Sequence, residues 1–206
     1  MVMPALVAIG LSYLLGSVPT GLWLGLWLRG IDIRQHGSKN IGATNTLRVL
    51  GKGLGAAALA GDAAKGLIPV LVLARLSPWP YAALACGVAA ILGHLAPLYL
   101  KFKGGKGVAT SAGVFLGLCP IPTLIAAAVF AATVFVTRMV SAASMLAAIV
   151  MTLVVYLAPY ELVTAPGHLL PPGHALHLVV TTLALLIVYR HRSNIQRILK
   201  GQENKI

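Results

Sequence analysis

The sequence predicts an all-α integral membrane protein with seven transmembrane helices, and three observations carry that expectation. Hydrophobic residues make up 58% of the 206 and charged residues 10%. Mean hydropathy is +0.89, a composition suited to lipid rather than water. Apolar stretches alternate with short polar, cation-bearing segments, and most of them approach the roughly 20 residues that a helix needs to cross a bilayer.

The stretches fall near 4–28, 54–75, 80–100, 107–120, 122–138, 143–159 and 175–190. The first lacks the cationic start of a secretory signal and reads as a retained span. The second carries Asp62 and Lys65, three apart and so on one helix face. Ionised side chains in lipid are costly and usually face the protein interior. The pair therefore reads as a packing salt bridge, as the floor of a polar cavity, or as both. The third stretch closes with Gly93-His94-Leu95-Ala96-Pro97, where a histidine can be a hydrogen-bonded structural residue or can orient the loop that follows. The fourth is short and ends at Cys119-Pro120. Ser141 and Ser144 flank the turn between the fifth and sixth and suit either helix capping or ligand contact. Several helices are thus expected to be short or broken by glycine or proline.

Cations set the orientation. Arg29, Arg34, Lys39, Arg48 and Lys52 follow the first span, Lys101, Lys103 and Lys106 the third, and Arg138 the fifth. Arg190, Arg192, Arg197, Lys200 and Lys205 follow the seventh, so 14 of the 16 Lys and Arg share one face. The positive-inside rule makes that face cytoplasmic, with the N-terminus outside and the C-terminus inside. Topology and anionic lipid headgroups account for the formal charge of +12 without nucleic acid. Cys86 and Cys119 have no ligand spacing and read as packing residues. With no fixed-period repeat and no long linker, residues 1–206 read as a single membrane domain. In the outer segment, His168, His174 and His177 are unevenly spaced and make no metal site.

Two cytoplasmic segments carry chemistry. Phe102-Lys103-Gly104-Gly105-Lys106-Gly107 combines glycines, which leave backbone N–H groups open to close approach, with lysine countercharge, as an anion cradle requires. It is not a nucleotide loop: Gly107 follows Lys106 where Ser or Thr should stand, and the glycine pair Gly37 and Gly42 is followed by Ala43 instead of lysine. A small phosphate ester fits better. Gly37-Ser38-Lys39-Asn40-Ile41-Gly42-Ala43-Thr44-Asn45, followed by Arg48, offers amides and hydroxyls for phosphate or glycerol oxygens. At the tail, Tyr189-Arg190-His191-Arg192-Ser193-Asn194 interleaves a titrating imidazole, guanidinium forks and an amide.

Ser38 to Asn45 with Arg48, Asp62-Ala63-Ala64-Lys65-Gly66, Gly93-His94 with Pro97, Phe102 to Thr110, and His191-Arg192-Ser193-Asn194 together resemble the bacterial acyl-phosphate:glycerol-3-phosphate acyltransferases of the PlsY type. The resemblance runs from the first span to the tail, and its seven-helix fold, with the N-terminus outside, coincides with the topology above. One departure is Lys39, where the family pattern has glycine. The resemblance implies a cytoplasm-facing site in the bacterial inner membrane that moves a fatty acyl group from acyl phosphate to the 1-hydroxyl of sn-glycerol 3-phosphate. Lysophosphatidic acid and phosphate would be the products, in the first acylation of phospholipid synthesis. It further implies Lys103, Lys106 and the N–H groups of Gly104 and Gly105 at the phosphate and the developing charge. Ser38, Asn40, Thr44, Asn45, Arg48, Arg192 and Asn194 would bind substrate, and Ser141 would be a further contact. Either His191 or the donor's own phosphate would accept the hydroxyl proton. No cofactor or metal is expected, because an acyl phosphate is already activated and the sequence has no carboxylate cluster for magnesium. An enzyme that makes acyl phosphate is the expected upstream partner.

Other classes fit less well. The His-x-x-x-x-Asp signature of thioester-dependent acyltransferases is missing, and four scattered acidic residues, Asp32, Asp62, Glu161 and Glu203, cannot make a CDP-alcohol phosphotransferase site. A transporter of organic phosphates would need binding chemistry on both faces, whereas the polar motifs crowd one.

Overall fold

The computed structural model describes residues 2–164 and 174–206, so His168 lies outside the described residues. Regular structure among them is helical, in two compact units, Met1–Leu118 and Cys119–Ile206.

In the first unit, α1 (Val2–Gly16) and α2 (Thr20–Arg29) meet at a 46° bend, so the stretch 4–28 is a broken span. Pro19 explains the break: it has no N–H to donate and disfavours the α conformation at Val18. The chain then forms α3 (Ala43–Leu50), α4 (Lys52–Leu71) and α5 (Ala82–Leu95), with single 3₁₀ turns at Leu73–Leu76 and Leu98–Leu100. Next comes α6 (Val108–Leu118), eleven residues long. At 1.5 Å per residue it spans about 16 Å, near half of a bilayer core. Lipid gives helices little hydrophobic reason to associate, so close packing must bring them together. Two crossings show how. A Cβ on Gly66 of α4 would collide with the Thr110 carbonyl of α6, and one on Gly113 of α6 would collide with the Ala63 carbonyl of α4. Gly16 of α1 likewise lies on the Ala90 carbonyl of α5, and Gly93 of α5 on the Tyr13 carbonyl of α1.

The second unit holds α7 (Pro120–Thr137), α8 (Val140–Leu157), the single turn α9 (Tyr160–Val163), α10 (Ala175–Arg190) and α11 (Arg192–Leu199). Pro120 opens α7 at a position where the missing N–H is harmless. Arg138 ends that helix in a left-handed conformation, donating its N–H to the Val134 carbonyl at 2.8 Å. α8 packs on α7 and on α10. Between α10 and α11 the axis turns by 55° at His191.

Among the described residues, the segments Lys52–Leu76, Ala82–Leu100, Pro120–Thr137 and Val140–Leu157 are long and apolar enough to cross a membrane, and counting each bent pair as one span raises the number to six. The protein is therefore a multi-pass membrane protein. The α4–α6 crossing predicts that Gly113→Ala lowers the melting temperature in detergent, because overpacking of this kind costs about 1–3 kcal/mol. Gly10→Ala, whose Cβ meets nothing within 4 Å, should leave it unchanged or raised.

Candidate active site

The first unit carries two polar loops on one apolar base. Residues 30–42 fold around Asn45. Its side-chain amide donates to the carbonyls of Ile33 (2.8 Å), Asn40 (2.9 Å) and His36 (3.2 Å), and its Oδ1 accepts from the Ser38 N–H at 2.8 Å. The Asn40 carboxamide accepts from the Gly42 N–H at 2.9 Å. These two asparagines hold the loop in shape. Ser38 and Lys39 are exposed on it, and Thr44 and Arg48 are half-buried on α3. Lys39 adopts φ +58, a left-handed conformation, which explains why glycine suits this position and shows that the loop accommodates lysine. Asp32 accepts from the backbone and guanidinium of Arg34, and this hydrogen bonding holds its carboxyl below the usual value.

The second loop leaves α5 through Pro97 and the Leu98–Leu100 turn. Lys101 and Phe102 follow at φ +50 and +64, two strained residues in succession. Lys103 is exposed and Lys106 half-buried, while Gly105 is buried and donates its N–H to the His94 carbonyl at 3.1 Å. Gly107, at φ +81, delivers the chain into α6. The first N–H groups of that helix point toward the loop without intrahelical acceptors. Thr110 Oγ1 and Ser111 Oγ, in its first turn, are buried and have no hydrogen-bond partner among the described residues. Leu100 from this loop packs against the cluster of Leu22, Ile33 and Ile41, two of which belong to the first loop. Trp23 and Tyr99 add a ring contact with centroids 5.8 Å apart. The structure thus seats the start of the second loop, at Tyr99 and Leu100, on the apolar base of the first.

The tail motif in the second unit centres on a residue that sequence reasoning passed over. Glu203 Oε1 accepts from Asn194 Nδ2 (2.6 Å) and Ser141 Oγ (2.8 Å), and Oε2 accepts from Arg197 Nε at 2.9 Å. Its side chain is only 2% exposed. The Ile206 N–H donates to the Arg138 carbonyl at 2.9 Å, so the tail folds back onto the α7–α8 turn. A signal existed in the sequence: a lone acid just past a cationic helix, in a chain with four acids, has many partners to find. His191 is buried, with Nδ1 2.8 Å from the Ile187 carbonyl. Arg192 is exposed, its guanidinium 4.7 Å from the centre of the Tyr189 ring.

The model of the family described as glycerol-3-phosphate acyltransferase matches residues 6–201. Glycerol-3-phosphate acyltransferases from Streptococcus equi subsp. zooepidemicus and Desulforudis audaxviator are 45% and 46% identical. These matches cover 95% and 97% of this chain and 89% and 94% of the relatives. The fold is similar to the crystal structure of PlsY (YgiH), an integral membrane glycerol 3-phosphate acyltransferase. In its glycerol 3-phosphate form the TM-score is 0.85 at 35% identity, covering 98% of this chain and 95% of that one. The lysophosphatidic acid form gives a TM-score of 0.83.

Burial opposes ionisation of Glu203, but donation from Asn194, Ser141 and Arg197 outweighs it and holds the carboxyl below its ordinary 4.5. A depressed folded value means that this stabilisation is complete above about pH 4.5 and fades as the pH falls through the folded value. The protection factors of the amides of residues 200–206, exchange rates corrected for the intrinsic slowing at low pH, should fall on acidification below that point. Glu203→Gln should exchange faster at every pH without the acid step, having lost charge-assisted bonds worth roughly 1–3 kcal/mol.

Proposed function

Since this chain belongs to the glycerol-3-phosphate acyltransferase family, we propose that it moves a fatty acyl group from acyl phosphate to the 1-hydroxyl of sn-glycerol 3-phosphate. The hydroxyl oxygen bonds to the acyl carbon, the bond from that carbon to the phosphate oxygen breaks, and lysophosphatidic acid and inorganic phosphate depart. One observation carries the reading: two cationic loops rest on one apolar base beside the α6 N-terminus, whose buried Thr110 and Ser111 hydroxyls lack partners among the described residues. Donors and positive charge converge there without a carboxylate among the loop residues 102–107, which is what a phosphorylated substrate needs.

Lys103, Lys106 and the Gly104 N–H hold phosphate and offset the charge that develops on the carbonyl oxygen and leaving group, while Gly105, whose N–H goes to the His94 carbonyl, shapes the loop. Ser38, Thr44 and Arg48 bind glycerol 3-phosphate, with Asn40 and Asn45 shaping their loop and contributing to that pocket. Of the tail motif, exposed Arg192 is assigned to the same substrates, and Asn194 and Ser141, both donating to Glu203, are assigned a supporting part that holds the tail in place. The hydroxyl proton passes to His191 or to the departing phosphate. Support for His191 comes from the Ile187 carbonyl, which places the proton on Nδ1 and leaves Nε2 as the basic nitrogen of the neutral ring. The uninterrupted family match over residues 6–201 supports reading both units as one functional domain. Four long spans, two bent pairs and α6 read as seven crossings of the bacterial inner membrane. The cation distribution supports an external N-terminus and a cytoplasmic site. Acyl phosphate, an amphiphile, arrives from the bilayer and must be supplied by an acyl-phosphate-forming enzyme.

Purified protein in lipid, given palmitoyl phosphate and glycerol 3-phosphate, should release phosphate and form lysophosphatidic acid only when both are present, and should form none from palmitoyl-CoA. Lys106→Ala should lower kcat about 10²- to 10³-fold, as loss of a group that stabilises developing charge does. Absence of product with palmitoyl phosphate, or product from the thioester, overturns the reading.

A further inference from the structure

Behind the glycine loop lies a buried string of polar side chains that acyl transfer itself does not use. Lys65 Nζ, on α4, lies 2.7 Å from Asp62 Oδ1 and donates to the Val18 carbonyl at 2.6 Å. That carbonyl sits in the α1–α2 break. The same Asp62 oxygen is 3.8 Å from His94 Nδ1 on α5. All three side chains are at most 5% exposed. His94 then meets the loop twice: its carbonyl accepts from the Gly105 N–H at 3.1 Å, and its ring nitrogen Nε2 lies where a Cβ on Gly105 would stand. Gly104 is pressed against the same carbonyl and the Pro97 ring. Two hydrogen bonds brace this end of α5 on α1: Tyr13 Oη donates to the Ala96 carbonyl at 2.7 Å, and Ser17 Oγ accepts from the Leu98 N–H at 3.4 Å.

An ion pair in this setting is a poor stabiliser. Desolvation of two charges rivals their attraction, and well-packed apolar replacements of both partners are often neutral or stabilising. What the pair supplies that apolar side chains cannot is direction: Asp62 holds Lys65 on the α1–α2 break and faces the His94 ring. We propose that Asp62, Lys65 and His94 form a positioning strut that fixes the Gly104–Gly105 backbone in the geometry required for phosphate, coupling the α1–α2 break to the loop. The inference rests on the assignment of that loop to phosphate. None of the three side chains touches the reacting atoms; each acts through the two glycines.

The discriminating variant is Asp62→Leu/Lys65→Met, which removes both charges together, compared with His94→Phe, which keeps the ring but not its nitrogens. The full chain in lipid is assayed for melting temperature, for kcat and KM with palmitoyl phosphate and glycerol 3-phosphate, and for hydrogen exchange over residues 103–107. Expected are a near wild-type melting temperature for the double variant, faster exchange confined to that segment, and a kcat lowered about 10- to 100-fold with KM changed much less, the signature of misplaced groups. Melting, exchange and kcat that all match wild type in the double variant overturn the strut. Should the double variant fail to fold, unchanged exchange and kcat in His94→Phe overturn it instead. Hydrogen exchange reads the loop whatever reaction it serves. Altered exchange in protein that forms no product from palmitoyl phosphate would count against the acyltransfer assignment and leave the strut standing.

Discussion

The crossing of α4 and α6 at Gly66 and Gly113 is the constraint on which the first unit depends. An eleven-residue helix cannot hold its own place across a bilayer, and lipid supplies no hydrophobic drive toward its neighbours. Backbone-to-backbone approach at two glycines provides the dispersion contacts that pin it. The position of its N-terminus, and with it the exit of the glycine loop, follows from that crossing. The glycines of the loop and those of the helices thus have different tasks: Gly104 and Gly105 admit the end of α5 at His94 and Pro97, the others admit another helix.

Carboxylates organise what the cations only populate. With 16 Lys and Arg against four Asp and Glu, most cations cannot find an acidic partner within the chain. Three of the four acids are engaged. Asp32 ties Arg34 into the turn at the start of the first loop, Asp62 takes Lys65, and Glu203 gathers Ser141, Asn194 and Arg197. Each fixes a segment that borders one of the polar motifs, and the exposed Lys39, Lys101 and Lys103 remain facing solvent. That division suits an enzyme for anionic substrates, in which acids set the framework and cations meet the ligand.

The multi-pass membrane class and the apolar segments were legible in the sequence, because each rests on composition or local spacing. Apolar length needs no partner to be recognised, and Pro120 marks a helix start by its own chemistry. The stretch from Gly37 to Arg48 lacked a helical pattern and read as a loop throughout, whereas Ala43–Leu50 is the helix α3, so Asn45 and Arg48 stand on a helix rather than in the loop.

What the sequence could not supply is the set of partners chosen across long separations. Nothing in the spacing of Asn45 says that its amide bridges three carbonyls of its own loop. Glu203 looks like an isolated tail acid until the chain folds back and brings Ser141, 62 positions away, to its oxygen. His94 and Asp62 belong to different helices, and nothing in their spacing says that they face each other. By itself the sequence determined which segments are apolar enough for lipid and which residue types fill the polar loops between them, since those follow from transfer free energy and backbone stereochemistry. Which polar side chains hold the framework and which are left to meet substrate was decided by tertiary packing alone, because a buried donor takes whatever acceptor the neighbouring helix presents.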